Sequence, residues 1–429
     1  MKLRLVLKNI YTKDYFILLC VGFIPLLWKI LEIALLAGMD NALKILGQLA
    51  LISIIFKVFE ESLLNPLYKV LGQDSLDNAE DKEYIAKKFL LWFVIATFLF
   101  SGIVIILNVP IMKMSQVPGY IFDETLLFLR IYIVSCLFGL ISKYLYTFNV
   151  INKDTKKMFL FLLIKALSTV ICFVVFVPTF SLGLGATGVA VAELIVNILT
   201  TGYLLFTFPY KSSSSAFFNK KQYFKLFVFS LLETLIRNIV YYFVILVFLN
   251  MIDNQDLYFV ANDFIWSIML VPTLAQSSLI KQDIANSKNY SLKPYFINCI
   301  LLVSFIALLI PISLVVFKHI YSLTNYLEYF IVLLKLLPCY VLFVIDSVIE
   351  AYFFATGKIH HVLIQNILTN IGVYLTALIL FMLKVWTISL DAILLLFNLG
   401  VVVSSIYTII TYIVITKTKL GAELNTQKN

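Results

Sequence analysis

Charge is what this chain has least of: 13% of its 429 residues are Asp, Glu, Lys or Arg, where a soluble domain carries about a quarter. The hydrophobic share is 62%, which excludes both an ordinary soluble domain and a disordered chain. A transmembrane barrel would show short segments alternating apolar and polar residues. The apolar runs here are long and continuous, as in VLFVIDSVIEAYFF. The expected class is therefore an all-α polytopic membrane protein.

Other scarcities remove whole classes of chemistry. Histidine occurs three times (His319, His360, His361), with no aspartate at the spacing of a histidine-aspartate acyltransferase. His360-His361 lies in a basic turn and reads as an interfacial pair rather than a metal site. The five cysteines (Cys20, Cys136, Cys172, Cys299, Cys339) all fall inside apolar runs without metal-ligand spacing, as small core residues do. No Walker A sequence occurs, so the chain by itself does not hydrolyse ATP. The glycines of SLGLGATGVA (181–190) mark a turn and close packing; no strand precedes them, as a phosphate-binding loop would require. No cofactor is expected, and an enzyme finds no support.

The net charge of +9 is informative through its placement, which indicates topology rather than nucleic-acid binding. About twelve spans can be drawn, each near the roughly 20 residues of a bilayer crossing. They lie at approximately 15–37, 45–68, 88–109, 124–150, 157–179, 185–208, 223–250, 257–280, 295–317, 327–355, 361–383 and 389–416. With the N-terminus inside, 22 basic residues fall in the cytoplasmic segments and four (Lys44, Lys113, Lys318, Lys384) in the opposite loops. That bias predicts an integral protein of the cell membrane with both termini cytoplasmic. The first span follows a basic start (Lys2, Arg4, Lys8, Lys13) with no small-residue cleavage site after it, and reads as retained.

The chain also repeats. A shift of about 205 residues lays LFLRIYIVSCLFGLISKYLYTF on VLLKLLPCYVLFVIDSVIEAYFF, with Arg130 over Lys335 and Phe148 over Phe353. It places Asn152-Lys153 on Gly357-Lys358 and, within one residue, Asn65-Pro66 on Val271-Pro272. The expected architecture is two pseudo-symmetric six-helix lobes, 1–208 and 223–429, joined by a basic cytoplasmic linker at 209–222. Two such lobes around a central cavity suit alternating access about a midplane site.

Ionisable residues inside spans are costly, on the order of 3 kcal/mol each at the bilayer centre, and usually face a protein interior or an aqueous cavity. Glu233 lies four before Arg237, Lys29 three before Glu32, and Lys57 precedes Glu60 and Glu61 by three and four. Such neighbours share a helix face, so a structural ion pair is as good a reading as a functional one. Asp346 and Glu350 differ, being two acids four apart on one face. That arrangement can take up a proton or sodium, unless a base such as Lys335 stands against them. Glu193, with Asn197 four residues on, fits an interhelical hydrogen bond. Lys165 fits either a pairing with Glu193 or contact with an anionic substrate. Asp263 sits within the eighth span, near a proline. Pro66, Pro272 and Pro338 remove backbone donors within or at the ends of spans and are candidates for helix kinks.

Several phrases resemble the MATE family, the multidrug and toxic compound extrusion transporters of the MOP superfamily. They are LLETLIRNIV and FVANDFIWSIMLVPTLAQSSLIK in the seventh and eighth spans, NPLYKVLGQ after the second, GLGATGVAVAELIVNILTTGYLLF in the sixth, and IEAYFFATGKIHHVLIQNILTNIG at the tenth–eleventh junction. The resemblance implies twelve helices in two lobes. It also implies antiport of mainly cationic, amphipathic organic compounds against sodium or proton entry. Glu233 and Asp346 then resemble the acidic cation site of the C-terminal lobe, and the one metal implied is a sodium ion there. The first span departs from the pattern, with Lys29 and Glu32 where a lobe-one aspartate is often found.

Two other readings stand beside the exporter. A lipid or lipid-linked oligosaccharide flippase of the same superfamily would show intramembrane cations (Lys29, Lys57, Arg130, Lys143, Lys165, Arg237, Lys335) facing inward without carboxylate partners. A non-transporting scaffold or immunity protein would tolerate neutralised Glu233 and Asp346. The expected partners are membrane lipids and a small organic or lipid substrate, with no nucleic acid and no ATP, and the expected state is a monomer.

Overall fold

The computed structural model describes residues 10–426, apart from 37–38, 40–41, 48, 73–78, 115–116, 118, 211–219, 241–243, 246, 253, 288–289, 322 and 324. The described residues are overwhelmingly helical and contain no strand. Twelve helices carry the architecture. The first six are α1 (Lys13–Leu36), α2 (Leu49–Leu64), α3 (Ala79–Met114), α4 (Phe122–Ile151), α5 (Thr155–Phe176) and α6 (Gly185–Phe206). After them come α7 (Lys220–Val240), α8 in two parts (Gln255–Phe264 and Val271–Asn286), α9 (Lys293–Val315), α10 (Tyr326–Ala355), α11 (Ile359–Thr369, continued by Thr376–Met382) and α12 (Leu390–Thr426). Among the described residues eight helices are long and apolar enough to cross a membrane, and the bent α8 makes a ninth. The protein is an integral membrane protein. Its lipid-facing residues account for exposed Leu99, Ile106 and Leu308, which a soluble core would bury.

The chain divides into two compact units. One comprises residues 16–223 with 285–288; the other comprises 1–15, 224–284 and 289–429. The serine-rich stretch at 211–219, within the expected linker, lies outside the described residues.

In the first unit, α4 packs on α6 and α3, and α5 packs on α6. Asp154 caps α5 by accepting from the Lys157 amide at 3.2 Å, satisfying one of the orphan donors of a helix start. Gly183 (φ 65°) and Gly185 (φ 54°) form the turn into α6. Gly188 lets the helices close up: a β-carbon there would stand 2.5 Å from the Phe176 carbonyl oxygen. Asn197 ties α6 to α4, donating to the Ser135 hydroxyl at 2.9 Å.

In the second unit, α10 packs against α8, α9 and α12, and α11 packs against α12. α8 breaks by 48° after a π-helical turn at Ile265–Met269. Pro272 stands just past the break, and its carbonyl accepts from the Tyr15 hydroxyl at 3.3 Å. A second π-helical stretch, Asn370–Leu375, interrupts α11. Such turns often mark functional stretches of a helix.

The prolines divide. Pro66 ends α2 and opens the short helix Leu67–Val70, and Pro272 follows a break. Pro338 lies inside α10, which runs through it as one helix.

The internal repeat has a physical counterpart. α4 ends with Lys153 at φ 55° and α10 with Gly357 at φ 76°. In the first, the amides of Lys153 and Asp154 donate to the carbonyls of Val150 and Asn149; in the second, those of Gly357 and Lys358 donate to Phe354 and Phe353. Both are Schellman caps with a left-handed residue at the same place. They align Lys153 with Gly357, one residue off the register drawn from sequence, because the geometry of the cap and not residue likeness fixes the match.

Candidate functional site

Two groups of acids in the second unit make contact with α11. Glu233, on α7, is 1% exposed. Its Oε1 lies 3.0 Å from Arg237 Nε and accepts from Asn366 Nδ2 at 3.1 Å. Its Oε2 accepts from the Thr234 hydroxyl at 3.0 Å. The i, i+4 pairing read from sequence is thus made, with the Arg237 side chain 43% exposed. Asn366 is itself held by Asn370, whose amide donates to the Asn366 carbonyl at 2.8 Å.

The second group surrounds Asp346, on α10, also 1% exposed. Its Oδ2 accepts from Ser404 at 3.2 Å, Ser405 at 3.4 Å and Gln365 Nε2 at 3.4 Å. These are neutral donors. Its Oδ1 is buried without a hydrogen-bond partner among the described residues. Gln365 Nε2 also donates to Glu350 Oε1 at 2.7 Å, so one amide bridges the two acids. Thr408 lies one turn beyond Ser404 and donates to its carbonyl at 3.0 Å. Lys335 does not reach Asp346; it pairs with Asp391 at 2.6 Å. A buried carboxyl whose hydrogen-bond donors are all uncharged favours uptake of a proton or a bound cation. The Asp346 and Glu350 carboxylates with the Ser404 and Ser405 hydroxyls form an oxygen-rich set of the kind a hard cation prefers. Among the described residues no three His, Cys, Asp or Glu side chains cluster as a metal centre.

Asp263 stands apart, on the first part of α8, with the Ser267 hydroxyl 3.4 Å from its Oδ1. Its neighbours in sequence build an aromatic corner. Trp266 Nε1 donates to the Tyr340 hydroxyl at 2.8 Å, that hydroxyl donates to the Asn262 side chain, and Phe343 packs edge-on against Trp266.

The first unit carries mixed charge at mid-span. Lys143, on α4, pairs with Glu60, on α2, at 2.6 Å, and Lys57 stands 4.0 Å from Glu61. Lys165, on α5, has Lys143, Glu193 and Glu60 as electrostatic neighbours. The Lys143 side chain is 51% exposed. Lys29 and Glu32 lie on α1, outside the residues whose side chains are described.

Sequence reasoning missed Gln365, Asn366, Ser404 and Ser405. Their amides and hydroxyls are common within apolar spans, and nothing in their spacing pointed to Glu233 or Asp346. The phrase HHVLIQNILTN held the one available signal, four amide or hydroxyl side chains within six residues of an apolar helix.

No protein family and no curated protein matches this chain by sequence. Solved structures do match its fold over nearly its whole length. The bent form of the Vibrio cholerae MATE transporter VcmN superposes with a TM-score of 0.78 at 16% identity, covering 98% of this chain and 99% of that one. A MATE protein in its straight conformation gives 0.77 at 13% identity, covering 94% of each chain. A MOP superfamily transporter from Pyrococcus furiosus, described as having a binding pocket of reversed polarity that suggests a different function, gives 0.74 at 14% identity over 92% of this chain and 93% of that one. The class is therefore an all-α integral membrane protein with the twelve-helix MATE transporter fold.

Proposed function

We propose that the protein is a cation-coupled secondary exporter, moving amphipathic, cationic organic compounds out of the cell in exchange for sodium or protons. The observation that carries this reading is Asp346: buried, joined to Glu350 through Gln365, and hydrogen-bonded only by neutral donors. A cation bound there would stabilise one state of the transport cycle. A substrate favouring the other state would be exchanged for it by population shift. The aromatic corner of Trp266, Tyr340 and Phe343 offers ring faces on which a planar cation can stack.

The flippase reading weakens where intramembrane cations have partners. Lys57, Lys143, Arg237 and Lys335 each stand within 4.0 Å of a carboxylate. Lys165 also has carboxylates, those of Glu193 and Glu60, among its electrostatic neighbours.

The test is ethidium efflux from proteoliposomes under an imposed sodium or proton gradient, comparing wild type with Glu233→Gln plus Asp346→Asn. Gradient-driven efflux that disappears in the double variant supports the exporter. Absence of wild-type efflux with either ion leaves transport of another substrate open but moves the weight to the flippase or the scaffold.

A further inference from the structure

In the second unit the start of α9 at Lys293 and the end of α10 at Ala355 lie beside α12 at Tyr412. A cavity of about 530 Å3 opens there, lined among others by Tyr290, Ser291, Lys293, Phe296, Ile300 and Tyr412. Among the described residues no acidic side chain lines it. Its shelf is aromatic: the ring of Tyr412 lies 5.9 Å from Phe296 and 5.7 Å from Tyr352, and Tyr352 lies 5.8 Å from Tyr290. Lys293 is exposed at the rim, and Lys358 Nζ lies 3.3 Å from the Tyr352 hydroxyl behind the shelf. From the cavity an apolar stripe runs down α9, with Ile300 68%, Leu308 69% and Ile312 49% exposed. Steps of eight and four residues spread the three over about 120° of the helix surface, with exposed Ser304 among them.

A lysine at the rim with no acid in the described lining, rings beside it and an exposed apolar track along α9 match the parts of one amphiphile. We propose that this cavity binds an anionic phospholipid of the lysine-rich leaflet. Its phosphate sits at Lys293, with the Ser291 and Tyr412 hydroxyls in reach. The glycerol lies on the aromatic shelf, and an acyl chain follows Ile300, Leu308 and Ile312. The site is independent of the transport reading, since it shares no residue with the acidic groups around α11.

The experiment uses the whole protein. Delipidated protein in detergent is mixed with phosphatidylglycerol, phosphatidylcholine or inorganic phosphate, and retained lipid is counted by native mass spectrometry. In parallel, proteoliposomes containing photoactivatable phosphatidylglycerol are irradiated and the crosslinked peptides mapped. The site predicts retention of phosphatidylglycerol over phosphatidylcholine, with crosslinks at 290–300 or around Tyr412. Lys293→Gln lowers retention about fivefold, the value of one lysine at an anionic surface, and Lys293→Arg preserves it. Equal retention of the two lipids, an unaffected Lys293→Gln, or crosslinks confined to other helices would overturn the assignment. So would inorganic phosphate displacing the lipid as well as the lipid itself does, because the acyl track would then contribute nothing.

Discussion

Asn366 donates its side-chain amide to Glu233 at 3.1 Å, joining α11 to α7. Its chain neighbour Gln365 serves Asp346 and Glu350 on α10. Adjacent residues of a helix point about 100° apart, so one turn of α11 stands between the two acidic groups and contacts both. The π-helical stretch at Asn370–Leu375 follows within a turn.

The two acids are expected to respond differently to neutralisation. Glu233 already has the Arg237 guanidinium at 3.0 Å, whereas Asp346 has neutral donors only. Asp346→Asn alone should abolish gradient-driven efflux, while Glu233→Gln should retain a measurable fraction. Single-variant assays in proteoliposomes decide this, and the reverse order would place the coupling site on α7.

Gln365→Leu removes a donor shared by two carboxylates. Hydrogen bonds to charged groups contribute about 1.5–3 kcal/mol each, so the cation concentration giving half-maximal efflux should shift about tenfold or more. A titration of efflux against sodium or pH reads the shift. An unchanged midpoint would make Gln365 a packing residue.

The matched caps make opposite predictions for the two halves. Gly357→Ala places a β-carbon on a left-handed residue and should destabilise the protein by about 1 kcal/mol. Lys153→Gly relieves the same strain at the end of α4 and should raise the melting temperature slightly. Thermal unfolding in detergent measures both, and a stabilising Gly357→Ala would contradict the assigned backbone.

The lysine distribution predicts both termini in the cytoplasm. Cysteine labelling with a membrane-impermeant reagent, on a variant lacking the five native cysteines, should leave residues introduced near 2 and 428 unreactive in intact cells. One introduced near Lys318 should react. Labelling at either terminus would invert the topology.

The sequence by itself determined the class, the helices and the approximate repeat. Bilayer thickness dictates about 20 apolar residues per crossing, and that demand is written continuously along the chain, from the run ending at Leu36 to the one ending near Lys417. It also made the Glu233–Arg237 pair legible, since both partners lie on one helix face at a fixed spacing. Only the tertiary structure decided who stands against Asp346. Lys335, eleven residues earlier on the same helix, was the candidate visible in sequence, but α12 supplies Asp391 to Lys335 and Ser404 and Ser405 to Asp346. Partners on other helices depend on rotation and packing between elements far apart in the chain. No periodicity within one helix encodes that, and so the neutral surroundings of Asp346 became visible only in three dimensions.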